Sequence, residues 1–213
     1  MTDFQRRRAS ENRRVERRMA MCFTVALFIL ISSLGVYLAL QFPPVQRNYI
    51  YPYPYQDLVE KYAVKYHTDS HLTAAVIKNE SKFNHEVHSH RGAVGLMQIM
   101  PETGSWIAMQ LNEKDFTEEK LHEPELNIRY GTWYLSFLEK EFKGNEVLVL
   151  AAYNAGHGIV ADWMEENNWS LDFHNIEAIP YRETREYVRQ VLADRKKYRE
   201  LYPVSGLQSN GEE

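Results

Sequence analysis

The setting of Glu80 is the first in this chain to suggest chemistry. Glu80 lies eight positions after Leu72, on or beside the apolar stripe of Leu72, Ala75, Val76 and Asn79, and at the C-terminal end of the helix that stripe predicts. A carboxyl there is partly withdrawn from water and faces the partial negative charge of the last helical carbonyls. Both effects favour its protonated form, which is what a general acid working near neutral pH requires. Spacing alone also allows a helix that simply ends and turns Glu80 to solvent. Two further segments carry polar groups at chain turns. Gly92-Ala93-Val94-Gly95-Leu96-Met97-Gln98-Ile99-Met100-Pro101 is a glycine-punctuated apolar loop leading into a helix start at Pro101. Such a loop brings backbone groups and the Gln98 amide close to a ligand, or it is a packed core turn. Ala151-Ala152-Tyr153-Asn154-Ala155-Gly156 sets Tyr153 and Asn154 at a helix end, or is a plain C-cap with Tyr153 in the core.

A histidine cluster competes for attention. His85, Glu86, His88 and His90 read H-E-x-H, not the H-E-x-x-H that places two imidazoles on one helix face, so no metal site is expected. The single cysteine, Cys22, excludes an intrachain disulfide and a cysteine-based zinc site.

The elements that must position these groups are helical. Leu58, Val59, Tyr62 and Tyr66 form one stripe, and Asp69 or Ser70 caps the helix that carries Glu80. Ile128, Gly131, Thr132, Leu135, Leu138 and Phe142 mark a long helix, and Val147 to Tyr153 a buried one ending at Gly156. Tyr187, Val188, Val191, Leu192, Arg195 and Tyr198 mark the last, beginning after Pro180, with its arginines and lysines on a solvated face. Only residues 85–98 leave room for a short β ribbon. The expected fold class is mainly α, with at most a small β element.

With 213 residues there is room for one medium domain and appendages. Net charge is −4, which gives no reason to expect a nucleic-acid partner, but residues 1–18 hold seven arginines against Asp3, Glu11 and Glu16. Residues 19–42 contain no charged side chain and are long enough to span a bilayer. The arginines precede this stretch, so the positive-inside bias puts the N-terminus in the cytoplasm and all that follows residue 42 outside. The run is longer than a signal-peptide core, and Tyr37 stands where a cleavage site wants a small residue. The expected organisation is a basic cytoplasmic segment over 1–18, a retained transmembrane anchor over 19–42, a Pro/Tyr spacer over 43–54, one folded domain over 55–203 and a disordered polar tail over 204–213.

Four of these motifs stand in an order that resembles family 1 lytic transglycosylases, whose SLT domain is lysozyme-like: Glu80-Ser81, Gly95-Leu96-Met97-Gln98, Ala152-Tyr153-Asn154, and Ile179 to Val188. The resemblance spans about 67–192. The pair His90-Arg91 departs from it, standing where that family often has Pro-Ala. The resemblance implies Glu80 as sole catalytic acid/base. It implies that Ser81 orients substrate or hydrogen-bonds near Glu80, and that Met97 and Gln98 line the cleft. Tyr153 and Asn154 would then contact the reacting sugar, and Glu183 would help to hold the site. It also implies peptidoglycan glycan strands as substrate, cut between N-acetylmuramic acid and N-acetylglucosamine with 1,6-anhydro ends, and no cofactor or transition metal. The competing expectations are hydrolysis in the manner of goose-type lysozymes, with Glu86, Glu102 or Glu183 as base, and a non-catalytic wall-binding module. An envelope protein complex is a further expected partner.

Overall fold

The computed structural model describes residues 3–203. The chain divides into two units, Met1–Pro52 and Tyr53–Glu213. The expected tail over 204–213 lies outside the described residues.

The first unit is dominated by helix α1, Asp3–Gln41. Its portion Glu16–Gln41 is 26 residues long, about 39 Å at 1.5 Å per residue and more than a bilayer core needs, and contains an 18-residue stretch of mean hydropathy 2.3. Every side chain in it is exposed to the surroundings, including Phe23, Leu27, Phe28, Ile31 and Leu34. In water such a stripe would be costly, whereas in lipid it is the expected surface. Even Thr24 turns its hydroxyl back onto the Ala20 and Met21 carbonyls, which removes a stray donor from an apolar surface. α1 stops where Pro43 and Pro44 remove two donors. The short helix α2, Pro43–Val45, and one π turn, Gln46–Ile50, follow. Within the expected Pro/Tyr spacer over 43–54, residues 43–50 are coiled and Tyr51 to Tyr53 departs from turn or helix.

The second unit is a bundle of seven helices joined by turns: α3 (Gln56–Tyr66), α4 (Ser70–Ser81), α5 (Pro101–Gln110), α6 (Pro124–Glu141), α7 (Glu146–Ala155), α8 (His157–Glu166) and α9 (Arg182–Leu201). No strand occurs among the described residues, and the expected ribbon over 85–98 reduces to two isolated bridges, His88 with Val94 and Val94 with Ile99. The unit begins at Tyr53, two residues earlier than expected. The Tyr53 ring packs edge-on against Tyr198 and Tyr202, and its hydroxyl donates to the Ser70 carbonyl. Burying that ring outweighs the extended preference of the flanking prolines.

α4 is the axis of the unit. Asp69 caps it, accepting from the His71 N–H at 2.8 Å, and residues 71 to 77 are all buried. A helix buried nearly all round must be enclosed by others; α9 and α3 pack against it, and the hydrophobic α7 packs in turn on α9. Immediately before Glu80, Lys78 and the Asn79 amide both donate to the buried Asp194 carboxylate of α9, at 2.7 and 2.9 Å. Arg195 joins Asp69 to Glu146, so α9 also ties together the N-termini of α4 and α7. A buried pair of this kind adds register more than net stability. Here it fixes the rotation of α4 and hence the direction of Glu80.

Candidate active site

Glu80 sits on the penultimate residue of α4, just before Lys82 and Phe83 take left-handed backbone angles, φ 52° and 63°, and end the helix. It is mostly buried. Burial raises its pKa from the ordinary 4.5 to about 7, and the negative charge of Glu183 pushes the same way. A facing Tyr187 hydroxyl opposes both. That hydroxyl is buried and has no partner within good hydrogen-bond geometry, so its hold on the carboxylate is loose. Tyr153 is the second phenol close enough to feel the charge on Glu80. Burial first, then that charge, raises Tyr153 and Tyr187 well above the usual tyrosine value. Both therefore stay protonated throughout the range in which Glu80 titrates.

The loop that follows the end of α4 is held in place by side chains from three helices. Val94 and Ile99 exchange backbone hydrogen bonds at 3.0 Å in both directions, which closes a tight turn over Gly95 to Gln98. Gly95 has φ +79° and Gln98 φ +48°. A Cβ at Gly95 would fall 2.6 Å from the Leu121 carbonyl, so both backbone angle and space call for glycine there. The buried Asn127 of α6 spends its whole carboxamide on this turn, accepting from the Met97 N–H at 2.7 Å and donating to the Val94 and Leu121 carbonyls. Ser81 of α4 donates to the Leu96 carbonyl at 2.8 Å, and Tyr153 of α7 to the Met97 carbonyl at 2.8 Å.

The expected site residues accordingly divide. Glu80, Tyr153 and Glu183 share one electrostatic environment, with Glu183 exposed on the first turn of α9. Ser81 is buried and anchors the loop instead of standing beside the acid. The Met97 side chain is fully buried against Gly131, so what it offers the site is backbone. The Gln98 amide donates to the Val87 and Gly95 carbonyls and braces the turn. The Asn154 Oδ1 accepts from Thr184 at 2.8 Å, which links the end of α7 to the start of α9. Of the other candidate bases, Glu86 is exposed and paired with His85. Glu102 stands in the first turn of α5, beside a cavity of about 470 Å³ that Trp106, Tyr134, Phe137 and His157 also line.

Asn127, Tyr187 and Thr184 were not singled out from the sequence as site residues. Asn127 carried a usable signal: a polar residue four positions before Gly131 and seven before Tyr134, on the face of α6 that must be buried. Among the described residues no three histidine, cysteine, aspartate or glutamate side chains gather as a metal site. His85 is engaged by Tyr55 and Glu86, and His88 stacks on His122.

Fold and site together define a helical domain with one mostly buried, near-neutral carboxyl and a rigid backbone turn, linked through Tyr153. Residues 57–176 match the Transglycosylase SLT domain, and the chain belongs to that family. It is 38% identical over 151 residues to the soluble lytic murein transglycosylase of Salmonella typhimurium, an alignment covering 70% of this chain and 23% of that protein. It is 29% identical to the membrane-bound lytic murein transglycosylase C of Sodalis glossinidius, over 73% of this chain and 46% of the relative. Among solved structures, the 70 kDa soluble lytic transglycosylase of Escherichia coli superposes with TM-score 0.65 and 35% identity, over 70% of this chain and 25% of that one. An inactive mutant of the lytic transglycosylase Slt from Pseudomonas aeruginosa gives 0.64 and 32%, over 73% and 26%. The chain thus spans about a quarter of the soluble relatives it matches.

Proposed function

We propose that this protein is a membrane-anchored peptidoglycan lytic transglycosylase, with the N-terminus in the cytoplasm and the SLT domain outside. The carrying observation is Glu80: a mostly buried carboxyl with pKa about 7, with two buried phenols around it, while Glu183, the carboxylate whose charge reaches it, is exposed. The names of the soluble and membrane-bound relatives support the reading, as does the exposed apolar α1.

A glycosidase ordinarily divides acid and base between two carboxyls. Here Glu80 serves in both roles. Protonated, it donates to the glycosidic oxygen as positive charge develops at C1 of N-acetylmuramic acid, and the departing sugar leaves with that proton. The substrate's own 2-acetamido group stabilises the oxocarbenium-like charge. Glu80, now a carboxylate, takes the proton of the C6 hydroxyl, whose oxygen closes onto C1 as a 1,6-anhydro ring. Glu80 is returned protonated and no water is consumed. A pKa near ambient pH suits both halves of the cycle. The ring closes readily because its nucleophile is already attached to the reacting sugar.

In this scheme Asn154, its Oδ1 occupied by Thr184, offers its amide N–H groups to the reacting sugar. Tyr153 and the Met97 backbone form the wall beneath it, and Gln98 and Ser81 keep that wall rigid. Glu183 raises the pKa of the acid and borders the cleft. Any envelope complex would engage the domain away from this cleft.

The test is digestion of purified peptidoglycan by the full chain in detergent, with Glu80→Gln as control, and mass spectrometry of the released muropeptides. Products one water lighter than hydrolysis products, absent with Glu80→Gln, are expected. Reducing-end products would make the protein a muramidase, and release undiminished in Glu80→Gln would remove Glu80 as the acid. For topology, a reporter joined after residue 48 is expected to be exported; a cytoplasmic signal there would reverse the orientation.

A further inference from the structure

We propose that a small pocket between the C-terminal ends of α3 and α6 binds a free carboxylate borne on a small apolar group, its occupant being the D-alanyl end of an uncrosslinked stem peptide. The inference rests on the glycan-cleaving reading above and extends it from the glycan to the peptide that the glycan carries.

The pocket measures about 140 Å³. That is below the roughly 300–1,000 Å³ of pockets that take drug-sized ligands, and it suits one amino-acid-sized group. Lys65 and His67 line it from the end of α3, and Trp133, Phe137 and Lys140 from one face of α6. The Trp133 and Phe137 rings lie nearly parallel, 5.8 Å apart at 12°, and are only half-buried, so they present a flat apolar wall. Between them Ser136 donates to the Tyr66 carbonyl at 2.7 Å, which ties α6 to the end of α3 and holds the two sides of the pocket together.

The rim is cationic. Lys65 places its ammonium 5.3 Å from the centre of the Tyr66 ring, and Lys140 stands in the last turn of α6. One lysine in the last turn of a helix is explained by the carbonyl ends it faces. Two, from different helices and on the same pocket, leave positive charge that nothing nearby offsets. No carboxylate lines the pocket, and the neighbouring ones are engaged elsewhere: Glu139 accepts from Thr68 at 2.7 Å, Glu141 turns towards His157, and Glu113 holds Arg129. Neither Lys65 nor Lys140 forms an ion pair among the described residues. A terminal alanyl group has the matching character, with a carboxylate for the two ammonium groups and a methyl for the aromatic wall. A bare phosphate would leave that wall unused.

The position suits a peptide carried by the strand. The Phe137 ring lies 6.1 Å from that of Tyr134, which lies 5.7 Å from that of Tyr153, whose surroundings include Glu80. An extended peptide covers about 3.4 Å per residue, so a stem of a few residues on a sugar at Glu80 spans this distance.

The test uses the full chain in detergent and follows N-acetyl-D-alanyl-D-alanine, and the same dipeptide as its C-terminal amide, by ligand-observed NMR. The acid should bind and the amide should bind several-fold more weakly. Lys65→Gln and Lys140→Gln should each weaken the acid about two- to five-fold, the range of an exposed ion pair, and the double variant should bind acid and amide alike. Both side chains are exposed, so neither change threatens the fold. No binding of the acid, equal binding of acid and amide by the wild type, or undiminished binding by the double variant would overturn the pocket. Displacement of the acid by a lower concentration of inorganic phosphate would overturn its occupant. In turnover, the double variant should raise KM on uncrosslinked, peptide-bearing strands and leave peptide-free strands unchanged; an equal change on both would also overturn it. A chain that binds the acid through the two lysines but forms no anhydro ends would refute the reaction and keep the carboxylate pocket. A chain that forms anhydro ends with no lysine-dependent preference for peptide-bearing strands would do the reverse.

Discussion

Replacing Glu80 by glutamine should make the protein more stable, and only at high pH. Burial lifts the carboxyl from 4.5 to about 7. Below pH 4.5 it is protonated whether the chain is folded or not, and it costs the fold nothing. Between 4.5 and 7 the unfolded chain releases the proton while the folded one retains it, so stability falls as pH rises. Above 7 the full penalty is present. At 1.36 kcal/mol for each pH unit separating the two values, the penalty is about 3 kcal/mol. Glutamine has the same shape and no charge, so the variant escapes it. For a domain of this size the difference corresponds to about 6–12 °C in Tm. Tyr153 and Tyr187 introduce no competing titration, because both lie well above this range. The assay is thermal unfolding of both full-length proteins in the same detergent at intervals from pH 4 to pH 9, followed by near-ultraviolet circular dichroism. The two melting curves should coincide at pH 4 and separate progressively, with the variant ahead at pH 8. A gap independent of pH, or one that opens towards acid, would refute the reasoning and with it the account of Glu80 as a near-neutral acid.

Glu183→Gln removes the negative charge that helps to keep Glu80 protonated, so the alkaline limb of the kcat/KM profile should move to lower pH; a shift upward would contradict the coupling. Asn127→Ala leaves the Met97 N–H and the Val94 and Leu121 carbonyls without their partner, which should cost about 3 kcal/mol or more in denaturant unfolding and remove activity even where the protein stays folded. Gly95→Ala meets both an unfavourable φ of +79° and the Leu121 carbonyl, and should cost about 2–4 kcal/mol by the same measurement; a neutral result would mean the turn is not rigid.

The sequence disclosed the elements better than the contacts between them. The stripe through Leu72, Ala75 and Val76 located α4, and with it the end at which Glu80 stands, because helical period is a local property. The destinations of Ser81 and Gln98 were not legible. A serine beside an acid and a glutamine in a glycine loop both look like ligand-facing groups, and only the fold reveals that each satisfies a backbone carbonyl. Tyr53 was assigned to a spacer because its prolines are local while its partners Tyr198 and Tyr202 are at the far end of the domain. Asn127 escaped notice for the same reason, since two of its three partners, Met97 and Val94, lie 30 and 33 residues away in the chain.

On the proposed reading, the short passage after α1 sets a limit on where the domain can work. Phe42 to Pro52 provide eleven residues between the apolar helix and the first residue of the second unit. Fully extended they reach about 40 Å, and Pro43 to Ile50 are coiled, so the leash is shorter than that. Were α1 to lie in a bilayer, as proposed, a tether of this length would confine the domain to a thin shell over the membrane, where its effective concentration would be high. On the proposed reading, polymer lying within that shell would be cut repeatedly, and polymer outside it would be spared however good a substrate it is. The length of the tether would then select glycan by depth, without any contact in the cleft.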